Sequence, residues 1–213
     1  DLAEKVKDSD TDLYERLMEE ARVGINWTLR TRFGDGYRAL TVLYRVWQPN
    51  VVENAEEFRV KNMAENGPFE NFISAASLAK AAIMWKDEDP IFSDWCKRAA
   101  IEDFEFAYDG YKKGIYTKRW GPSIDSVVSG HGSLAACELY LLTNDDKYIS
   151  IAKEYAKTIL ACQEQDGIGS EAIKGFFYED VKHQYVLSYE HRGHENSPIQ
   201  GLTKLMEVAP NDK

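Results

Sequence analysis

The chain has 213 residues, a formal net charge of −10 and 44% hydrophobic residues. This length allows one domain with a sizeable core, or a part of a larger domain. The acidic balance argues against binding to a nucleic-acid backbone, which requires clustered Lys and Arg. No apolar run approaches the ~20 residues of a membrane-spanning helix, and no secretory signal is recognisable after Asp1.

The N-terminal quarter predicts one helix and then an extended segment. Apolar residues recur at helical spacing, which predicts a helix over about residues 12–32 with Asp10 or Thr11 as its cap. Residues 37–47 are β-branched and aromatic, so we expect an extended loop or a short hairpin there. Residues 51–67 are charged and favour no single element.

The middle third predicts a helical hairpin. We expect helices over residues 68–86 and 90–108, joined by the acidic turn Asp87–Asp89. The first of these helices is rich in alanine, which favours helix formation and leaves room for close helix packing. Pro90 fits the first position of the second helix, where a missing N–H costs no hydrogen bond.

The C-terminal half predicts a second hairpin and a final helix. Helices are expected over residues 124–143 and 146–163, followed by a long irregular segment over 167–190 and a helix that begins near Asn196. Short and long connections alternate along the whole chain. This alternation predicts an all-α toroid of helical hairpins, with the long loops gathered on one binding face of a single helical domain over residues 1–213.

Three cysteines lie far apart in predicted helices, and their spacing matches no metal-binding motif. Because cysteine is among the most buried residue types, we expect free thiols in the core at Cys96, Cys137 and Cys162.

Three stretches resemble glycoside hydrolase family 9, namely residues 17–30, 75–107 and 129–156. The most specific part is WKDEDP, residues 85–90. The resemblance implies an (α/α)6 barrel, incomplete in this chain, and an inverting hydrolase of β-1,4-linked glucan or a related plant polysaccharide. It also implies an oligo- or polysaccharide partner and a secreted or periplasmic location. Calcium occurs in many members, and the turn Asp87–Asp89 could bind it, although a helix-start turn explains these residues without any cofactor.

The catalytic motifs of the family match less completely. Its general acid is a Glu followed six residues later by Asn and a small residue, with Tyr-x-Asp upstream. Glu190, Asn196 and the stretch Tyr178–Asp180 are similar to that pattern. The base of the family lies in a DAGD motif, which this sequence does not contain.

Residues 189–195 form the densest polar cluster, with two His, two Glu and one Arg just before a predicted helix. Inverting hydrolysis needs one carboxylic acid and one carboxylate about 6.5–9.5 Å apart. Glu190 or Glu195 could be the acid. Three neighbours could hold sugar hydroxyls, namely His191, Arg192 and His194. The alternative interpretation is a polar loop that caps the helix, with Glu195 favoured by its positive end.

Other candidates lie outside this cluster. Trp120 is a predicted sugar-stacking platform on a long loop, as are Trp47 and Tyr116. His131 could contact sugar, although a core or capping histidine is the favoured interpretation. Asp35 lies between two glycines and could replace the missing base, but a turn aspartate explains it better.

Two other functions stay open from the sequence. A sugar isomerase or epimerase on the same barrel would use His191 and His194 for proton transfer. The same two histidines are too few for a metal site, because no third ligand has a fixed spacing. A non-catalytic carbohydrate-binding domain would explain why DAGD is absent.

Overall fold

A computed structural model describes residues 2–44, 59–115, 125–170, 172–188 and 194–210. This part of the chain contains seven α-helices, a two-stranded sheet and a short 3-10 turn at His194–Asn196. The elements are α1 Leu2–Val6, α2 Thr11–Arg30, β1 Arg38–Tyr44, β2 Arg59–Glu65, α3 Pro68–Met84, α4 Pro90–Lys112, α5 Asp125–Thr143, α6 Asp146–Ala161 and α7 Ser197–Val208.

Aspartate caps fix where three of the helices begin. The Asp10 carboxylate accepts a hydrogen bond from the Leu13 amide at 3.0 Å, at the start of α2. Asp89 accepts one from the Phe92 amide at 3.0 Å, at the start of α4. Asp145 does the same for Lys147 at the start of α6. Each cap satisfies an amide that has no partner within its helix, so the acidic residues of the turns determine these boundaries.

The helices form two layers. Most faces of α3 and α5 are buried, whereas α2, α4 and α6 each bury one face only. In the outer layer, α2 and α4 run parallel, because Arg22 pairs with Asp89 and Arg32 pairs with Glu102 further along both helices. The same reasoning makes α4 and α6 parallel, since Lys147 pairs with Glu105 and Glu154 binds the Tyr108 hydroxyl.

The inner helices α5 and α7 also run parallel, and they approach very closely. The Ser197 hydroxyl donates to the Val127 carbonyl at 2.9 Å, and the Ser133 hydroxyl donates to the Gly201 carbonyl at 3.2 Å. A methyl group on Gly130 would overlap the backbone of Ser197. The two backbones are therefore in direct contact, which a larger residue at Gly130 would prevent.

The inner helices α3, α5 and α7 begin at one end of the molecule. Short turns follow α3 and α5, whereas long connections precede α3, α5 and α7. Since these three inner helices run in the same direction, their N-termini lie together, with the described residues that lead into them. We call this end the loop rim, defined by residues 31–44, 59–67, 113–115, 162–170, 172–188 and 194–196. The described helices thus confirm the predicted all-α fold of helical hairpins.

The core is aromatic and alanine-rich. Phe72 and Phe104 lie with ring centroids 5.5 Å apart, and Tyr148 and Tyr155 pack edge-on against them. All three cysteines are free and buried, which confirms the predicted core thiols. Burial raises the pKa of Cys137 to about 12, so the thiol is inert at neutral pH.

Three sequence expectations need correction. The short helix α1 was not predicted, because five residues carry too little periodicity. Helix α4 continues to Lys112, past the predicted end at residue 108. The ambiguous segment 51–67 contains β2, which pairs antiparallel with β1 so that Arg38 lies opposite Glu65. Pairing with a distant strand is what gives this charged segment its structure.

Candidate active site

Glu195 lies at the loop rim, in the 3-10 turn that leads into α7. Its side chain is buried, and its Oε2 atom has no hydrogen-bond partner among the described residues. A buried carboxyl oxygen without a partner is costly unless a ligand or a proton satisfies it. Glu195 is therefore the described residue that best fits the acid expected from the polar cluster.

The local sequence holds Glu195 in place. Pro198 lies in the first turn of α7, where the absence of an N–H is tolerated. The Ser197 hydroxyl binds the Val127 carbonyl, and Gly130 lets the Ser197 backbone rest directly on α5. Glu195 thus precedes a segment that is anchored to the inner layer by backbone contact.

His131 lies in the second turn of α5, close to the same end of the inner layer. Its ring is buried and meets Phe69 of α3 edge-on, with ring centroids 5.2 Å apart. A position inside the helix means that His131 does not cap α5. The geometry instead agrees with the core interpretation that the sequence favoured.

The other predicted site residues stay predictions. Outside the described residues lie Glu190, His191, Arg192, Trp120, Trp47 and Tyr116. The backbone of His194 opens the 3-10 turn, and its side chain is outside the described part as well.

The irregular segment before the cluster is organised by Glu164. Its carboxylate accepts hydrogen bonds from the amides of Asp166 and Gly167 and from the Tyr178 hydroxyl, at 2.9–3.0 Å. These donors hold the pKa of Glu164 below its ordinary value, with the Gly167 amide as the largest cause. Tyr178 belongs to the Tyr-x-Asp pattern. Here its hydroxyl orders the loop that leads to the rim, and the adjacent Glu179 carbonyl binds the Ser126 amide of α5.

Two further buried carboxyl groups, Glu65 and Glu70, could not be recognised as buried from the sequence. Glu65 ends β2 and Glu70 lies in the first turn of α3, both at the loop rim. Both oxygens of Glu65 and Oε2 of Glu70 lack hydrogen-bond partners among the described residues. Burial raises the pKa of Glu70, and the nearby charge of Glu65 adds to this effect. In the sequence, an acidic residue in a first helical turn looks like an ordinary partner of the helix dipole.

The acidic turn before α4 does not fit the calcium expected from the family resemblance. The Asp89 carboxylate is occupied by the Phe92 amide and by Arg22 at 2.5 Å. Glu88 accepts a hydrogen bond from the Tyr14 hydroxyl at 3.2 Å. Across the described ranges, no three His, Cys, Asp or Glu side chains are arranged to hold a metal ion.

Asp35 lies in the tight turn that follows α2, within the loop rim. Its backbone has φ 56°, and Gly36 follows with φ 71°. Aspartate and glycine tolerate this left-handed backbone conformation in tight turns, which agrees with the interpretation of Asp35 as a turn residue.

Comparison with known proteins places the chain in a family. The chain is 38% identical over 80 residues to a protein of Acetivibrio thermocellus named cellulose 1,4-beta-cellobiosidase. That match covers 35% of this chain and 9% of the length of the relative. The model of glycosyl hydrolase family 9 matches residues 3–209, nearly the whole chain. The protein therefore belongs to glycosyl hydrolase family 9, and its inner and outer helices are those of the family's (α/α)6 fold.

Proposed function

We propose that the chain hydrolyses a β-linked glucan, or a related plant polysaccharide, with inversion at the anomeric carbon. Family membership and the partial similarity to a cellobiosidase support this substrate class. The observation that carries the proposal is Glu195, a buried carboxyl group at the rim, one oxygen of which has no hydrogen-bond partner in the part of the chain that the structure describes.

In this proposal a carboxylic acid protonates the glycosidic oxygen while a carboxylate removes a proton from the attacking water. Glu195 supplies the acid, with Glu190 as the alternative that the sequence pattern favours. The reaction needs no cofactor, since water is the nucleophile and both protons move through carboxyl groups. His191, Arg192, His194 and Trp120 would hold the sugar.

The base is sought among carboxyl groups that stay ionised at the working pH. The absent DAGD motif leaves room for the second candidate, a carbohydrate-binding domain without catalysis. We also propose a secreted or periplasmic location, as for a polysaccharide-degrading enzyme. Within the described ranges no helix is both long and apolar enough to cross a bilayer.

The test is hydrolysis of soluble β-1,4- and mixed-linkage glucans, with the anomer of the fresh product read by NMR. We expect release of the α-anomer, which marks inversion. The substitutions Glu195→Gln and Glu190→Gln remove one ionisable oxygen each without changing side-chain volume. Loss of a general acid costs about 10²–10⁴-fold in rate, so one of the two variants should lose at least that much.

The matched control is Glu19→Gln, on the exposed side of α2, which should leave the rate unchanged. Binding without cleavage by the unaltered chain would favour the carbohydrate-binding domain. A rearranged monosaccharide as product would favour the isomerase.

A further inference from the structure

A pocket of about 460 Å³ opens between α4 and the turn that follows α2. The volume lies within the range of small-molecule sites, about 300–1,000 Å³. Residues 32–37 of this turn belong to the loop rim, and α4 belongs to the outer layer, so the pocket lies on the outer-layer side of the rim. Its main lining residues are Arg32, Phe33, Asp35, Tyr37, Glu102 and Phe106.

Three aromatic side chains converge on this pocket while remaining open to solvent. The exposed fractions are 52% for Phe33, 44% for Tyr37 and 37% for Phe106. Single exposed apolar residues are common, but several that line one concavity indicate a binding surface. The pocket therefore offers flat, accessible ring faces.

The turn fixes one of these rings. Gly36 has φ 71°, and a methyl group there would overlap the Phe106 ring, so the backbone of the turn lies directly against that ring. The Gly36 carbonyl in turn accepts a hydrogen bond from the Asn71 side chain at the start of α3, at 2.9 Å. The hydrogen bond from Asn71 thus ties the turn, and the aromatic wall that it carries, to the start of α3.

The polar side of the pocket is held in place by ion pairs within the protein. Arg32 donates to Glu102 at 2.6 Å and to the buried Asp103 at 3.0 Å, which fixes the guanidinium group beside the pocket. The carboxylates of Asp35 and Glu102 add acceptors for hydroxyl groups. These acidic groups and the net charge of −10 disfavour an anionic ligand, whereas the hydroxyl groups of a neutral ligand can donate to the carboxylates.

We propose that this pocket is a second, non-catalytic binding site for one sugar ring of a neutral glucan chain. A pyranose ring presents C–H faces, which suit the aromatic wall, and a rim of hydroxyl groups, which suit the carboxylates and the guanidinium group. The choice of a glucan rests on the proposed function. The site would hold one part of a long chain, and a short oligosaccharide would not occupy this pocket and the catalytic site together.

The test compares the full chain with Phe106→Ala and Tyr37→Ala. The control is Trp95→Ala, because Trp95 is 54% exposed on α4 but does not line the pocket. Retardation in native gels that contain hydroxyethylcellulose measures polymer binding. The rate of cellotetraose hydrolysis measures the catalytic site separately. Thermal unfolding checks that each variant keeps the fold. If Phe106→Ala destabilises the turn at Gly36, Tyr37→Ala still tests the pocket.

Loss of one aromatic contact should weaken polymer binding about fivefold. We expect this loss in both pocket variants, with unchanged cellotetraose hydrolysis and unchanged binding by Trp95→Ala. Equal retardation of all four proteins would contradict sugar binding in the pocket. If these proteins still cleaved cellotetraose, the proposed function would stand without the second site. A chain that neither binds polymer nor cleaves cellotetraose would overturn both.

Discussion

The helical hairpins and the loop rim follow different physical rules. In the hairpins, caps and apolar spacing act over a few residues, so each helix begins where its local sequence directs. At the rim, buried polar groups find partners far along the chain, as when Arg38 of β1 binds Asp103 of α4. The difference teaches that the helix boundaries are encoded locally, whereas the loop rim depends more on contacts between distant parts of the chain.

The largest expected effect concerns the buried ion pair that joins these regions. Arg38 and Asp103 are both buried, and Arg38 also donates to the Thr28 carbonyl at 2.8 Å. Asp103→Ala would leave a buried guanidinium group without its carboxylate, which we expect to cost about 3–5 kcal/mol in free energy of unfolding. Urea unfolding measures it.

The control for that pair is Asp94→Ala, which removes an exposed partner of Arg98 on the same helix. We expect a change of about 0.5 kcal/mol or less. Equal losses in the two variants would contradict the long-range role of Asp103.

The next largest effect is expected where the backbones of α5 and α7 are in contact. Gly130→Ala would push α7 away from α5 and cost about 3 kcal/mol, at the upper end for overpacked sites. In contrast, Gly24 of α2 has open space around it, so Gly24→Ala should stabilise by about 0.5–1 kcal/mol. Chemical unfolding of the two variants measures the contrast, and a stable Gly130→Ala protein would show that the contact is loose.

The smallest effect depends on pH and involves Glu70 at the rim. Burial raises the pKa of Glu70 above its ordinary value of 4.5. The folded state therefore holds the Glu70 proton more tightly than the unfolded chain does. This difference contributes fully to the free energy of unfolding below pH 4.5, and the contribution is lost as the pH rises through the raised pKa. Glu70→Gln keeps a neutral side chain, so its stability relative to the unaltered chain should increase over that rise.

Unfolding experiments at a series of pH values measure this prediction for Glu70. The matched control is Glu19→Gln on exposed α2, which should show no such trend. A constant difference between Glu70→Gln and the unaltered chain would mean that Glu70 does not titrate as described.

Most of the scaffold could be predicted from the sequence, for a physical reason. Asp89 and Pro90 mark a helix start through backbone chemistry that is recognisable from a few neighbouring residues. The pair Glu65 and Glu70 could not be found in this way, because its burial depends on β2 pairing with a strand about twenty residues earlier. Glu195 became a candidate acid through the density of polar residues around it, together with Glu190, whereas its burial could not be read from the sequence.

The glycine contact between α5 and α7 affects which substitutions the inner layer can accept. No rotatable side chain separates the two backbones at Gly130 and Gly201, and a methyl group added to Gly201 would lie 2.6 Å from the Gly130 oxygen. Their spacing is therefore set by main-chain atoms, and core side chains elsewhere can drift in size without altering it. The position of Glu195, two residues ahead of α7, therefore depends little on such changes.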